Sequence, residues 1–423
     1  MEKIPTDRPI LFCVNHPNAF MDALVLGMSI KRRTWFLARS DVFRKKLLGT
    51  ILSFVGIIPI YRLLEGAEHL SKNDETFDRC ARLLKENKTI MIFSEGLCVQ
   101  ERRLRKLKKG TARIAFDAEE KNNFKLNLTI VPVGLNYSST PWKFHKPLYV
   151  QFGEPFLVSD YEELYKKDKA RAMNLFTRDL EERMKNQLLH IDEEANDKLV
   201  EQLEEMFTEE QADEERIDPK NQKETYHISR EIVATVNTAS KNEPERIVSL
   251  REKLIGYFAS LKKIKTRDWV VRHYTNKKLV AGELVGDFLF FLLGFPFWIF
   301  GLITNYVPYK VPYLIANKIV KLIEWHASVN ATTFWAIWQF WWLLQSLVVA
   351  LVFRNWYLLF AFMIAVPLCG MFAQWYWVEM KKVYGKIKWL RTVKNNSRVA
   401  EEMMKRRKEI EKEYFSLKRG INN

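Results

Sequence analysis

The chain has 423 residues, 48% of them hydrophobic and 13% aromatic, enough for packed cores in about two or three domains. Its 67 lysines and arginines outnumber 51 acidic residues, and the resulting charge of +16 points to an anionic partner: a membrane surface, a phosphorylated substrate or nucleic acid. Cys13, Cys80, Cys98 and Cys369 form no Cys-x-x-Cys pair, which argues against a disulfide framework or a zinc site and for a reducing compartment.

From Pro9 to Gly153, short β-branched runs alternate with amphipathic stretches, the pattern of a mixed, mostly parallel sheet flanked by helices. A first strand over Ile10–Val14 leaves no room ahead of it for a secretory signal. It runs into Asn15-His16-Pro17-Asn18-Ala19-Phe20-Met21-Asp22, which sets an imidazole and a carboxylate six positions apart at a strand end. Histidine is suited to take a hydroxyl proton near neutral pH, and a carboxylate on its far nitrogen would fix the tautomer. Taken alone, the same residues also fit a strand-end histidine beside a helix-capping aspartate.

Further strands are expected at Thr34–Ala38, Gly56–Tyr61, Thr89–Phe93, Leu128–Leu135 and Leu148–Phe152, with helices at Met21–Ile30, Asp41–Phe54, Glu68–Glu86 and Thr111–Lys121. Three of these strands carry signatures. Gly56-Ile57-Ile58-Pro59-Ile60-Tyr61-Arg62 delivers a guanidinium, whose planar fork suits phosphate oxygens. Phe93-Ser94-Glu95-Gly96 puts a carboxylate at a tight turn and is followed by the basic run Arg102 to Lys109. Ile130-Val131-Pro132-Val133-Gly134 offers no reactive group and reads as scaffold.

The α/β domain is expected over 1–158. A charged helical extension follows over 159–280, with Leu199, Leu203 and Met206 at helical spacing and solvated outer faces. The remainder, 281–423, is expected to be a membrane region. Residues 332–353 and 356–378 carry no charge and are long enough to cross a bilayer as a hairpin. The run 288–304 is only about 17 residues long and is interrupted by Gly294, Pro296 and Gly301. The basic tail, including Lys381, Lys382, Lys386 and Lys405–Lys408, belongs on the cytoplasmic side by the positive-inside rule. With the N-terminal domain also cytoplasmic, the crossings are even in number, and 288–304 is expected to be an interfacial or re-entrant helix.

Together, the four motifs in this order resemble the four blocks of the glycerolipid and lysophospholipid acyltransferases, the family that includes glycerol-3-phosphate and 1-acylglycerol-3-phosphate acyltransferases. The resemblance covers roughly residues 9–155. It implies His16 as general base, Asp22 as its orienting partner, and Arg62, Glu95 and Gly96 as the site for a phosphate-bearing acceptor. It implies an acyl-CoA or acyl carrier protein thioester as co-substrate; no bound cofactor or metal is expected, the seven histidines being scattered without ligand spacing, and basic residues beside the apolar runs and the third motif point to membrane lipids rather than nucleic acid. The expected function is a membrane-bound O-acyltransferase using glycerol-3-phosphate, with lysophosphatidate or another lysophospholipid as alternative acceptor and a non-catalytic membrane adaptor as the reading from another class. An adaptor would be expected to have lost His16, Asp22 or Arg62, and all three are present. The chain departs from the usual blocks in having five rather than four residues between His16 and Asp22, Pro59 in place of phenylalanine and Ser94 in place of proline. The family tends to have a membrane-associated segment before the first block. Here either the C-terminal region supplies the anchor or the N-terminus is truncated.

Overall fold

The computed structural model describes residues 4–43, 46–61, 72–138, 147–218, 221–274 and 277–422, so Arg62 lies outside the described residues. The chain divides into two compact units: Met1–Ile191 with Leu322–Ser328, and Asp192–Lys321 with Val329–Asn423.

In the first unit the elements run β1 (Ile10–Val14), α1 (Ala19–Ser29), β2 (Thr34–Arg39), α2 (Lys46–Phe54), β3 (Ile57–Ile60), α3 (Lys72–Lys85), β4 (Thr89–Phe93), α4 (Gly110–Glu120), β5 (Thr129–Tyr137), β6 (Leu148–Phe152), β7 (Phe156–Leu157), α5 (Glu162–Lys167) and α6 (Lys169–Lys185). Among the described residues the sheet has seven strands in the order β3-β2-β4-β1-β5-β6, with β7 pairing β5. β1 to β5 are mutually parallel and β6 and β7 are antiparallel additions. Parallel crossovers are right-handed, so the direction of travel across the sheet decides which face a helix covers. The steps β1 to β2 and β2 to β3 go one way and put α1 and α2 on one face. The steps β3 to β4 and β4 to β5 go the other way and put α3 and α4 on the opposite face.

The two faces are unequally covered. Leu11, Cys13, Ile90, Ile92 and Ile130 point toward α3, α4 and α6 and join the larger core. Alternate residues Ile10, Phe12, Val14, Met91, Val131 and Val133 face the other way, where Leu26 is the one fully buried residue that α1 adds to a smaller cluster. The first unit also takes in residues 159–191, which the sequence reading assigns to the charged extension. The reason is apolar burial: Tyr165, Phe176, Leu180 and Met184 complete the larger core. Beyond α6, Asn136 donates to the Gln187 carbonyl at 2.8 Å and accepts from the Leu189 N–H at 2.8 Å.

The second unit holds α7 (Asp197–Glu214), α8 (Gln222–Asn242), α9 (Pro244–Ile264), α10 (Asp268–His273), α11 (Lys277–Ile319), α12 (His326–Phe353, from Val329 onward), α13 (Trp356–Asn395) and α14 (Ser397–Asn422). Leu199, Leu203 and Met206 are buried, and the basic C-terminal stretch is a packed helix rather than a free tail. Arg407 of α14 is buried and pairs with Asp268 at 3.1 Å and Glu210 at 2.6 Å.

Three helices are long and apolar enough to cross a membrane by length and composition: Gly286–Ile319, Ile323–Phe353 and Trp356–Asn395. The segment 288–304 is thus part of a longer continuous helix, because the helix carries on through Pro296, Pro308 and Pro312. α11 rises antiparallel to α13: Asp287 meets Lys386 at 3.3 Å, Tyr376 donates to the Phe291 carbonyl, and Asn305 donates to the Val366 carbonyl. Trp338 and Trp341 of α12 donate to Asn305 and to the Thr304 carbonyl at the same level. A straight helix would carry Ile319 about 21 Å past Asn305, whereas the start of α12 lies about 20 Å back, at 1.5 Å per residue. The linker from Ile319 to His326 reaches about 25 Å at most. α11 therefore bends beyond Asn305, where Pro308 and Pro312 each remove a helix hydrogen bond.

Gly134, the last residue of the fourth motif, sits where β5 meets the turn after α6. A Cβ there would lie 2.0 Å from the Gln187 carbonyl oxygen. Gly134→Ala should therefore lower stability by about 1–3 kcal/mol through overpacking. Unfolding midpoints of the two proteins would measure this, and equal midpoints would contradict the close approach.

Candidate active site

The site lies beyond the carboxyl ends of β1, β4 and β5, where parallel sheets gather their functional groups. The Ser94 N–H donates to the Val14 carbonyl and the Val99 N–H to the His16 carbonyl, so the loops leaving β1 and β4 stay together past the strands. The Asn15 side chain extends this registry, donating to the Leu135 carbonyl at 3.2 Å and accepting from the Leu135 N–H at 2.8 Å. The His16 ring stacks on Phe93 with centroids 3.9 Å apart and planes 15° from parallel.

His16 Nδ1 lies 3.0 Å from Asp22 Oδ2. The side chain of Asp22 is fully buried, while that of His16 is 19% exposed. Because a carboxylate only accepts, the ring carries its proton on Nδ1 and offers the Nε2 lone pair. Among the described residues Nε2 has no hydrogen-bond partner. The same Oδ2 accepts the Asn18 N–H at 2.7 Å, at the start of α1, and Oδ1 accepts the Tyr137 hydroxyl at 2.7 Å. Asp22 therefore caps the helix and orients the histidine at once. Burial, followed by the Asp22 charge, pushes the Tyr137 phenol well above its usual range, so it stays a donor.

The pair meets across five intervening residues, with Ala19 in a left-handed conformation, φ 40°, at the turn between them. The Ala19 N–H donates to Cys98 Sγ at 2.9 Å, and burial pushes that thiol up to about 12. From the other side, Ser328 Oγ accepts the Met21 N–H at 3.2 Å and donates to the Asn18 carbonyl at 3.4 Å. Asn15, Cys98 and Ser328 carry no local signal in the sequence. Tyr137 alone had a readable clue, a β-forming aromatic just beyond the fourth motif.

Glu95 is also buried, and burial pushes its carboxyl up to about 8, opposed by the Arg105 backbone N–H and charge. Gly96 follows at φ 67°, a turn conformation that favours glycine, with Lys108 beside it. The Lys108 N–H donates to the Ser94 carbonyl, which brings the basic run back to the end of β4. His16, Asp22 and the Glu95–Gly96 turn are thus brought together, and Arg62 lies outside the described residues. Among the described residues no group of three or more His, Cys, Asp or Glu side chains could hold a metal ion.

The family model described as Acyltransferase matches residues 1–136, the stretch that holds all four motifs. The first unit therefore carries an acyltransferase domain. Among solved structures, the chain is similar to the 1-acyl-sn-glycerophosphate (LPA) acyltransferase PlsC from Thermotoga maritima. The two share 18% identity over 43% of this chain and 68% of that chain, with a TM-score of 0.28. No curated protein matches the chain.

An ordinary glutamate ionises near 4.5, whereas folded Glu95 holds its proton up to about 8. The folded chain thus binds more protons than the unfolded chain between these values. This contribution to stability is fully present below about pH 4.5 and is lost as pH rises through about 8. Glu95→Gln should flatten that decline, as read from unfolding midpoints at about pH 5 and about pH 9. An unchanged slope would contradict the protonated assignment.

Proposed function

We propose that the chain is a membrane-bound O-acyltransferase of phospholipid biosynthesis, moving a fatty acyl group from an acyl-CoA or acyl carrier protein thioester to a hydroxyl of glycerol-3-phosphate. The observation that carries this reading is the His16–Asp22 pair, with Nδ1 engaged and Nε2 without a partner among the described residues. His16 Nε2 takes the hydroxyl proton as the oxygen attacks the thioester carbonyl. The tetrahedral oxyanion then collapses, the carbon–sulfur bond breaks, and the leaving thiolate recovers the proton from the imidazolium. Asp22 stabilises that cation through Nδ1–H. No acyl-enzyme is needed, and neither a metal nor a bound cofactor has a part in this scheme.

Arg62 holds the acceptor's phosphate and turns attack into a positioned, nearly unimolecular step. Glu95, protonated near neutrality, meets that phosphate as a hydrogen-bond donor rather than a repelling charge, and Gly96 leaves the turn open to it. The intact pair opposes the adaptor reading. The basic residues gather beside apolar helices and the third motif, which favours lipid headgroups over nucleic acid. The bend in α11 supports an even number of crossings, so that the acyltransferase domain and the C-terminal helix both belong to the cytoplasmic side. Exposed apolar side chains on α1, the helix that carries Asp22, favour 1-acylglycerol-3-phosphate as a second acceptor drawn from the bilayer.

The test is to reconstitute the full chain with labelled acyl thioester and a panel of acceptors and to identify the product. Acylated glycerol-3-phosphate is expected, and phosphatidate formed only from lysophosphatidate would select the second acceptor. His16→Ala should lose about 10²–10⁴ in rate while folding and membrane insertion are unchanged. Full turnover by that variant would overturn the general-base assignment.

A further inference from the structure

The layer formed by α1 and α2 is apolar on the side turned away from the sheet. α1 buries only Ala19, Asp22 and Leu26, leaving Phe20, Leu24 and Met28 exposed at successive helical turns. α2 exposes Leu47, Ile51 and Phe54 at the same kind of spacing, and exposed Val55 follows it. Met28 is 87% exposed and Phe54 81%. Both helices cover the same sheet face by the handedness of their crossovers, so the two stripes belong to one layer. Large exposed apolar side chains grouped in this way mark an interaction surface.

Two further observations select the partner. Ser328, which hydrogen-bonds to the Met21 N–H and the Asn18 carbonyl at the start of α1, lies in the first turn of α12. The uncharged run of that helix begins at Thr332, four residues further along the sequence. Gln100 adds a second tie to the same segment, donating to the Ile323 carbonyl at 3.4 Å. The N-terminus of α1 is therefore tied to a segment that ends four residues before the uncharged run of α12 begins in the sequence. The charges agree: exposed Lys31 and Arg33 follow α1 and exposed Lys46 opens α2, while the one acid in the two helices, Asp22, is buried. An apolar stripe rimmed by cations is the pattern of a helix lying in an anionic headgroup layer.

We propose that the outward face of the α1–α2 layer is a bilayer-contacting surface that holds the active-site helix in the headgroup region. This rests on α12 lying in a bilayer and on no catalytic assignment. It follows that the helix bearing Asp22 works within the layer where lipid substrates and products reside.

The test replaces Met28 or Phe54, one at a time, with a genetically encoded environment-sensitive fluorescent amino acid. The full chain is reconstituted into phosphatidylcholine–phosphatidylglycerol vesicles with or without brominated acyl chains, and Lys85 at the end of α3, on the other sheet face, serves as control. Both native side chains are mostly exposed, so the replacements leave the packing intact. Brominated lipid should quench the probes at Met28 and Phe54 and leave the one at Lys85 unchanged. Equal behaviour at all three positions would overturn the proposal. So would probes at Met28 and Phe54 that escape lipid quenching yet become shielded from aqueous iodide as protein density rises, which would assign the face to a second copy of the chain. The readout needs no turnover, so its failure is separate from any failure of the acyltransferase reading.

Discussion

Three donors converge on the buried carboxylate of Asp22: the His16 ring, the Asn18 backbone and the Tyr137 hydroxyl. They come from the β1 exit, the start of α1 and the end of β5, so one side chain ties together the elements that frame the site. Hydrogen bonds to a charged group contribute about 1.5–3 kcal/mol each. The left-handed residue at Ala19 costs about 1–2 kcal/mol. The bonds outweigh the strain, so the turn between histidine and aspartate holds. Helix capping and histidine orientation, which the sequence sets out as competing roles for Asp22, turn out to be one arrangement.

The sheet that carries this site is built asymmetrically. One face is sealed by α3, α4 and α6 over a deep core, whereas the other receives a thin layer whose outer side is itself apolar. A water-soluble domain would be expected to turn charge outward there. The bilayer proposed for that surface supplies another medium.

Much of the first unit was legible because its signals are local. β1, β4 and β6 fall at the expected residues, since buried β-branched runs bounded by turn residues admit little else. His16 and Asp22 were readable from spacing, but their contact depended on the turn between them, which no composition rule gives. Tyr137 escaped because its partner is 115 residues away in sequence, and Ser328 because its partners are more than 300 residues away. The expected boundary at 158 misses α5 and α6, whose charged outer faces conceal an apolar stripe. The segment 288–304 looked too short because its apolar run stops at Thr304 and is interrupted by Gly294, Pro296 and Gly301, whereas the helix runs through these residues while packed against α13.

The proposed function requires Asp22 to orient His16 and not merely to cap α1, and Asp22→Asn separates the two. An asparagine oxygen can still accept the Asn18 N–H and so preserve the cap, but its amide no longer demands the proton on Nδ1 or stabilises the imidazolium. Acyl-transfer rates of the reconstituted variant, with its unfolding midpoint beside them, make the direct measurement. The orienting role predicts a loss of roughly 10²–10⁴ in rate in a variant that still folds, with the midpoint lowered by the lost charge-assisted bonds. A wild-type rate would contradict it.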